Sequence, residues 1–167
     1  RLASKKETED KGYAQLKSDL REGTVRNVYV FYGEETYLRE YYLDMLRKKL
    51  VPAGLEEFNY HRLPGKGLTV QALSDIVEAL PMMCEKTLLT VTDYDIFKLN
   101  EEQRGQFIAL LKDFPEYCCL VFVYDTIEYK PDRKMKKQTV FSSFQSLNGR
   151  FGAFYRCLKA ENPEKCS

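Results

Sequence analysis

Tryptophan is absent from the 167 residues, histidine occurs once, and no stretch approaches the roughly 18 consecutive apolar residues that span a bilayer. The charged opening, Arg1 to Lys11, lacks the apolar segment of a secretory leader. An excess of either charge is missing too, because 26 Lys and Arg face 25 Asp and Glu for a net of +1. Global charge therefore gives no argument for nucleic acid or a membrane surface as partner. There is no C-x-x-C. The five cysteines, Cys84, Cys118, Cys119, Cys157 and Cys166, are odd in number, and Cys118 and Cys119 sit in an apolar run where a free thiol behaves as a small hydrophobe. This usage points to a reduced, cytoplasmic protein without structural disulfides or zinc.

What is present suffices for a core. Hydrophobic residues make up 44% of the chain, and twelve Tyr and ten Phe supply large side chains to bury. The length is that of one domain, or one domain and a tail. The chain opens on Arg1 rather than Met, as a piece of a longer protein does.

Apolar periodicity orders the elements. Residues 1–10 are polar and read as a flexible start. Tyr13, Leu16 and Leu20 predict a short helix from Lys11 to Glu22, stopped by Gly23. Val28 to Tyr32 is continuously apolar, as in a strand covered on both faces. Tyr37, Leu38, Tyr41, Tyr42, Met45, Leu46 and Leu50 keep the helical period up to Pro52. Phe58 to Leu63 alternates like an edge strand, and Pro64-Gly65-Lys66-Gly67 is a turn. Thr69 caps a helix with Val70, Leu73, Ile76, Val77 and Leu80 on one face, ended by Pro81. Thr87 to Val91 is a third strand. Asn100 and Gln103 form a capping box for a helix that packs Phe107, Ile108, Leu110 and Leu111 inward until Pro115. Cys118 to Tyr124 is a fourth strand. Strands and helices alternate, which predicts an α/β fold: a parallel sheet with right-handed crossovers and helices on both faces. After Tyr124 the pattern fails, and helices are expected only near Arg133 and near the C-terminus.

Gly33-Glu34-Glu35-Thr36 lies between the first strand and its helix, where a P-loop protein cradles phosphate. A working cradle is G-x-x-x-x-G-K-[ST], with glycines bringing amides to the phosphates and Lys on the terminal one. Here one glycine stands with no Lys, and two carboxylates would repel a nucleotide. The loop reads as a degenerate P-loop, or as a tight turn with carboxylates favourably placed at a helix N-terminus.

Val28-Tyr29-Val30-Phe31-Tyr32-Gly33-Glu34-Glu35-Thr36-Tyr37-Leu38 resembles the start of the delta subunit of bacterial DNA polymerase III. So do Glu57-Phe58-Asn59-Tyr60-His61-Arg62, the stretch from Glu78 to Lys86, and Pro115-Glu116-Tyr117. The four motifs keep their order and spacing, and the likeness runs from Leu16 to Lys137. It implies an AAA+-like domain over residues 11–137 that belongs to the clamp loader of the DNA polymerase III holoenzyme, whose polymerase is a nucleotidyltransferase. The family's first domain does not hydrolyse ATP, so neither a catalytic residue, a metal nor a cofactor is expected. It grips the sliding clamp, the beta subunit, and helps to open it for loading onto primed DNA. Other clamp-loader subunits would meet the full-length protein, DNA indirectly, and no membrane is implied. Residues 138–167 do not resemble the family, whose lid and collar cannot fit in them. A foreign or out-of-frame tail would account for this, and ring assembly through a collar is not expected of this chain alone.

By the resemblance, the clamp-binding residues are Met82 and Met83, with Pro81 holding the segment off the helix axis. Family members often carry Leu or Phe there, and Met, flexible and polarizable, can fill an irregular pocket. The competing reading is that both methionines cover the core, as buried Met usually does. Leu80 and Cys84 are expected to be structural supports. His61 lacks companions for a metal site and reads as an edge-strand residue. Asp93 and Asp95 follow the third strand, where active relatives keep a magnesium-binding acid, and without the P-loop Lys they read as loop residues. Lys130, Arg133, Lys134, Lys136 and Lys137 read as a solvated face before a phosphate-contacting one. The alternatives to a non-catalytic clamp-loader domain are a nucleotide-binding α/β enzyme with an unorthodox phosphate loop, and single-strand DNA binding by the Tyr-rich surface and the basic stretch.

Overall fold

A computed structural model describes residues 14–33, 36–127 and 151–157, the last as backbone only. A helix over residues 14–22, α1, comes first. Gly23 ends it at φ +73°, and the Thr24 N–H closes back on the Asp19 carbonyl at 3.0 Å. Glycine enters this left-handed turn without a Cβ penalty. There follow β1 (Val28–Gly33), α2 (Thr36–Leu50), the short α3 (Glu56–Asn59), β2 (Tyr60–Pro64), α4 (Val70–Glu78), β3 (Thr87–Thr92), a 3-10 turn (Ile96–Lys98), α5 (Glu101–Lys112), β4 (Cys118–Tyr124) and β5 (Phe151–Cys157).

The strands form one sheet in the order β2-β3-β4-β1-β5, every pair parallel. The chain moves one way from β2 through β3 to β4, with α4 and α5 on one face. It moves the other way from β1 to β2, with α1 and α2 on the opposite face. Right-handed crossovers require that division. Side chains alternate accordingly: Val28, Val30, Leu89, Val91, Leu120 and Phe122 face α4 and α5, whereas Tyr29, Phe31, Leu88, Cys119, Val121 and Val123 face α1 and α2. Both sets are buried, which is why the strands read as unbroken apolar runs. Cys118 and Cys119 are free thiols inside this core, and burial pushes the Cys118 thiol up to about 11. No helix among the described residues is long and apolar enough to cross a membrane.

The caps form as the sequence indicates. The Thr69 hydroxyl accepts the Ala72 N–H at 3.0 Å, and Asn100 and Gln103 satisfy each other's backbone N–H at 2.8 and 3.1 Å. Three expectations are corrected. Phe58 belongs to α3, and the edge strand begins at Tyr60. α4 ends at Glu78, so Leu80 leaves the face on which the helical period would put it. Pro81 bars Leu80 from the α region, and the helix unwinds through an extended Ala79. The described part of the tail, 151–157, is a strand that pairs with β1 rather than a helix. The position near Arg133 lies outside the described residues.

Gly65 passes so close to the chain after β3 that a Cβ there would stand 2.5 Å from Tyr94 Cα and 2.6 Å from the Asp93 carbonyl carbon. Backbone cannot retreat as a side-chain tip can. Gly65→Ala should lower the unfolding free energy by about 1–3 kcal/mol, read from urea denaturation; a wild-type midpoint in urea would contradict the close approach.

Candidate functional site

Parallel strands give the sheet two unlike ends, and the residues of interest divide between them. The C-terminal end of β1 lies beside that of β4, at the point where the connections diverge to opposite faces. Open α/β sheets place ligand sites there. Gly33 ends β1 with its backbone in register with Cys157, and Thr36 opens α2, exposed. Glu34 and Glu35 lie outside the described residues, as do Lys130, Arg133, Lys134, Lys136 and Lys137.

Asp93, at the end of β3, has a left-handed backbone (φ +57°) and turns its carboxylate back into the loop that follows β4. One oxygen accepts the N–H groups of Asp125, Thr126 and Ile127 at 2.9, 3.0 and 3.1 Å, and the other accepts the Thr126 hydroxyl at 2.8 Å. Burial pushes this carboxyl up, but hydrogen bonds from Ile127, Asp125 and Thr126 outweigh burial and hold it below the usual carboxylate range. Asp95 is also spent on backbone, accepting the Phe97 N–H at 3.1 Å. Arg39 of α2 is almost wholly buried and donates to Asp125 at 2.9 Å, which ties the helix to the same loop. This end is braced internally, and no group of three or more metal-ligating side chains occurs among the described residues. His61 sits half-buried in the edge strand β2, in register with Leu89.

The opposite end carries Pro81, Met82 and Met83 in the segment between α4 and β3. It is separated from Asp93 by the length of β3, roughly 20 Å at about 3.3 Å per residue. Met82 is 53% exposed and Met83 86%. Leu80, expected as a support, is 75% exposed and stands beside them as a third apolar side chain in water. Cys84 is half-buried, and its thiol donates to the Lys86 carbonyl at 3.2 Å. Met83 has φ +58°, a left-handed conformation costly for a residue with a Cβ, on the order of 1–3 kcal/mol unless the surroundings enforce it.

Two braces enforce it. Asn59, 0% exposed, accepts the Met82 N–H at 2.7 Å and donates to the Met82 carbonyl at 2.8 Å. Tyr117 works on either side of the loop: its hydroxyl donates to the Glu78 carbonyl at 2.5 Å, and its own carbonyl accepts the Thr87 N–H at 2.8 Å. Asn27 in turn holds the Tyr117 segment, donating to the carbonyls of Pro115, Glu116 and Cys118 at 3.2, 3.1 and 2.8 Å. The stretches around Asn59, Met82 and Tyr117, far apart in sequence, thus meet at one end of the sheet. Sequence reasoning missed Asn59 and Leu80. The signals were an Asn between two aromatic residues and a Leu directly before Pro81.

The arrangement resembles known proteins in fold and in sequence pattern. The Bacillus subtilis DNA clamp loader delta protein superposes with a TM-score of 0.67 at 16% identity, over 87% of this chain and 42% of that one. A DNA polymerase III gamma subunit-related protein from Thermotoga maritima gives a TM-score of 0.50 at 15% identity, over 90% of this chain and 47% of that one. At such identities the likeness establishes the fold alone, an α/β domain with a parallel sheet between helices. The chain spans less than half the length of either structure. No curated protein matches in sequence closely enough to count as a relative. The sequence pattern described as DNA polymerase III, delta subunit, matches residues 29–149, past Lys137 where the legible likeness stops. With most of its length matched, the chain belongs to the DNA polymerase III delta subunit family.

Proposed function

We propose that this chain is the clamp-gripping domain of a clamp-loader subunit, which docks on a sliding clamp through Met82 and Met83, flanked by Pro81 and Leu80, and helps to open the ring for loading onto primed DNA. The observation that carries the reading is three large apolar side chains exposed on a loop that is held in one conformation. Leaving such groups in water forgoes about 1.5–3 kcal/mol apiece that a matching pocket would return. A few anchors of this kind can dominate an interface. A loop already ordered loses little further entropy on docking.

In this reading the domain itself performs no catalysis, and ATP is hydrolysed by other clamp-loader subunits that meet the longer protein. The loop composition supports this, since Gly33 to Thr36 has no Lys and carries two carboxylates. So does Asp93, whose two oxygens are taken by loop amides and a hydroxyl and are poorly free to hold magnesium. DNA contact is indirect.

Met82→Ala combined with Met83→Ala should raise the Kd for the sliding clamp of the same organism by at least about a hundredfold, with the thermal midpoint nearly unchanged. Retained affinity with a large loss of stability would assign both residues to the core instead. Equilibrium dialysis against labelled ATP and magnesium should show no uptake at millimolar nucleotide; saturable uptake would revive an enzymatic reading. Asp93 should behave as a brace whose contribution depends on pH. Its folded carboxyl lies below the ordinary value near 3.9, so its stabilisation is complete above about pH 4 and is lost as pH falls through the lower, folded value. Asp93→Ala should therefore be less stable than wild type by a constant amount near neutrality, with the gap narrowing in acid. A gap that widens in acid would contradict the hydrogen bonding described.

A further inference from the structure

The exposed loop is held by one side chain from a different segment of the chain. Asn59 ends α3 at the edge of the sheet, and it is the most completely buried polar side chain in the neighbourhood of the plug. Its Nδ2 donates to the Leu55 carbonyl at 3.1 Å and to the Met82 carbonyl at 2.8 Å, and its Oδ1 accepts the Met82 N–H at 2.7 Å. Both amide hydrogens and the oxygen are used. Only one orientation of the amide satisfies all three partners, because two are carbonyls and one is an N–H. No other residue type of that size could do this: Asp has no donor to offer the two carbonyls, and Leu has neither donor nor acceptor. The grip falls on the backbone of Met82, directly before the left-handed Met83, and so fixes where both thioether side chains point.

We infer that Asn59 is a positioning residue for partner docking: it touches no partner itself, but keeps the Met82–Met83 tip in its docking conformation. The inference rests on the docking role proposed above for that tip. Held only by its covalent ends, a loop whose apex is left-handed at a non-glycine residue would spread over other conformations. Affinity is divided by the fraction of the population that is competent to bind, so a competent fraction of about a tenth raises Kd about tenfold. The buried amide thereby converts fold stability into affinity without contributing interface area.

The test uses the whole chain and the sliding clamp of the same organism in a surface-plasmon-resonance titration, with amide hydrogen exchange followed on the free chain. The Met82 N–H should exchange slowly in the wild type and fast in Asn59→Leu, and Asn59→Leu should weaken clamp binding about tenfold with its circular dichroism retained. Asn59→Asp, which keeps the size and the acceptor but sets a carboxylate against two carbonyls, should weaken it at least as much. A purely structural role would make the effects of Asn59→Leu and Met83→Ala additive; positioning makes Asn59→Leu cost less in the Met83→Ala background than alone. Unprotected exchange at Met82 in the wild type overturns the inference even where Asn59→Leu fails to fold. Full clamp affinity in Asn59→Leu, with the methionine pair still required, overturns the inference and leaves the docking role standing. Full affinity in Met82→Ala with Met83→Ala overturns the docking role and this inference together.

Discussion

A parallel sheet covered by helices on both faces buries its central strands, and their side chains are mostly apolar. Every strand residue between Val28 and Phe31 and throughout β4 is buried, and the two faces share the load by simple alternation. The polar side chains that brace the loops gather at the two ends of the sheet, where strands give way to loops. The character of this protein is settled by how those two sets of loops are spent.

At the C-terminal end the described loops after β3 and β4 brace each other. In a nucleotide-binding relative of this architecture, amides at a strand-to-helix turn and an acidic residue after a neighbouring strand would stay available for phosphate and metal. Here the acid after β3 is absorbed by three amides and a hydroxyl of the loop after β4, and Arg39 binds the carboxylate of Asp125 in that loop. Charge-assisted hydrogen bonds of this kind are strong and directional. They stitch β3, β4 and α2 together.

The N-terminal end shows the complementary arrangement. Two side-chain amides are buried beneath its loops, Asn27 under the Pro115–Cys118 turn and Asn59 under Met82, and the half-buried Tyr117 links α4 to β3. Its apolar groups face outward. This inversion, with amides inside and Leu80, Met82 and Met83 in water, runs against the usual partition of side chains. It is physically tolerable because the Asn27 and Asn59 amides both find partners, and the docking proposed for the exposed tip would cover its apolar groups.

Much of this was legible in the sequence. The strand runs, the Asn100–Gln103 box and the Gly23 stop all follow from local rules, because residues within a few positions of one another decide them. The four motifs carrying the family likeness were likewise visible. β5 was not, because Phe151 to Cys157 shows no clean period and its pairing partner is β1, far earlier in the chain. Nor was Leu80 at the exposed tip, because helical period counts it inward until Pro81 and the Tyr117 hydroxyl close α4 early. Asn59 was least legible of all, since an Asn before a strand looks like ordinary turn chemistry until Met82, 23 residues on, is brought against it. Local sequence thus determined which elements form and that the segment from Gly33 to Thr36 carries two carboxylates and no Lys. Tertiary structure alone decided which loops meet at each end and which way their side chains face, because hydrogen bonds between distant segments exist only once the sheet has set its strand order.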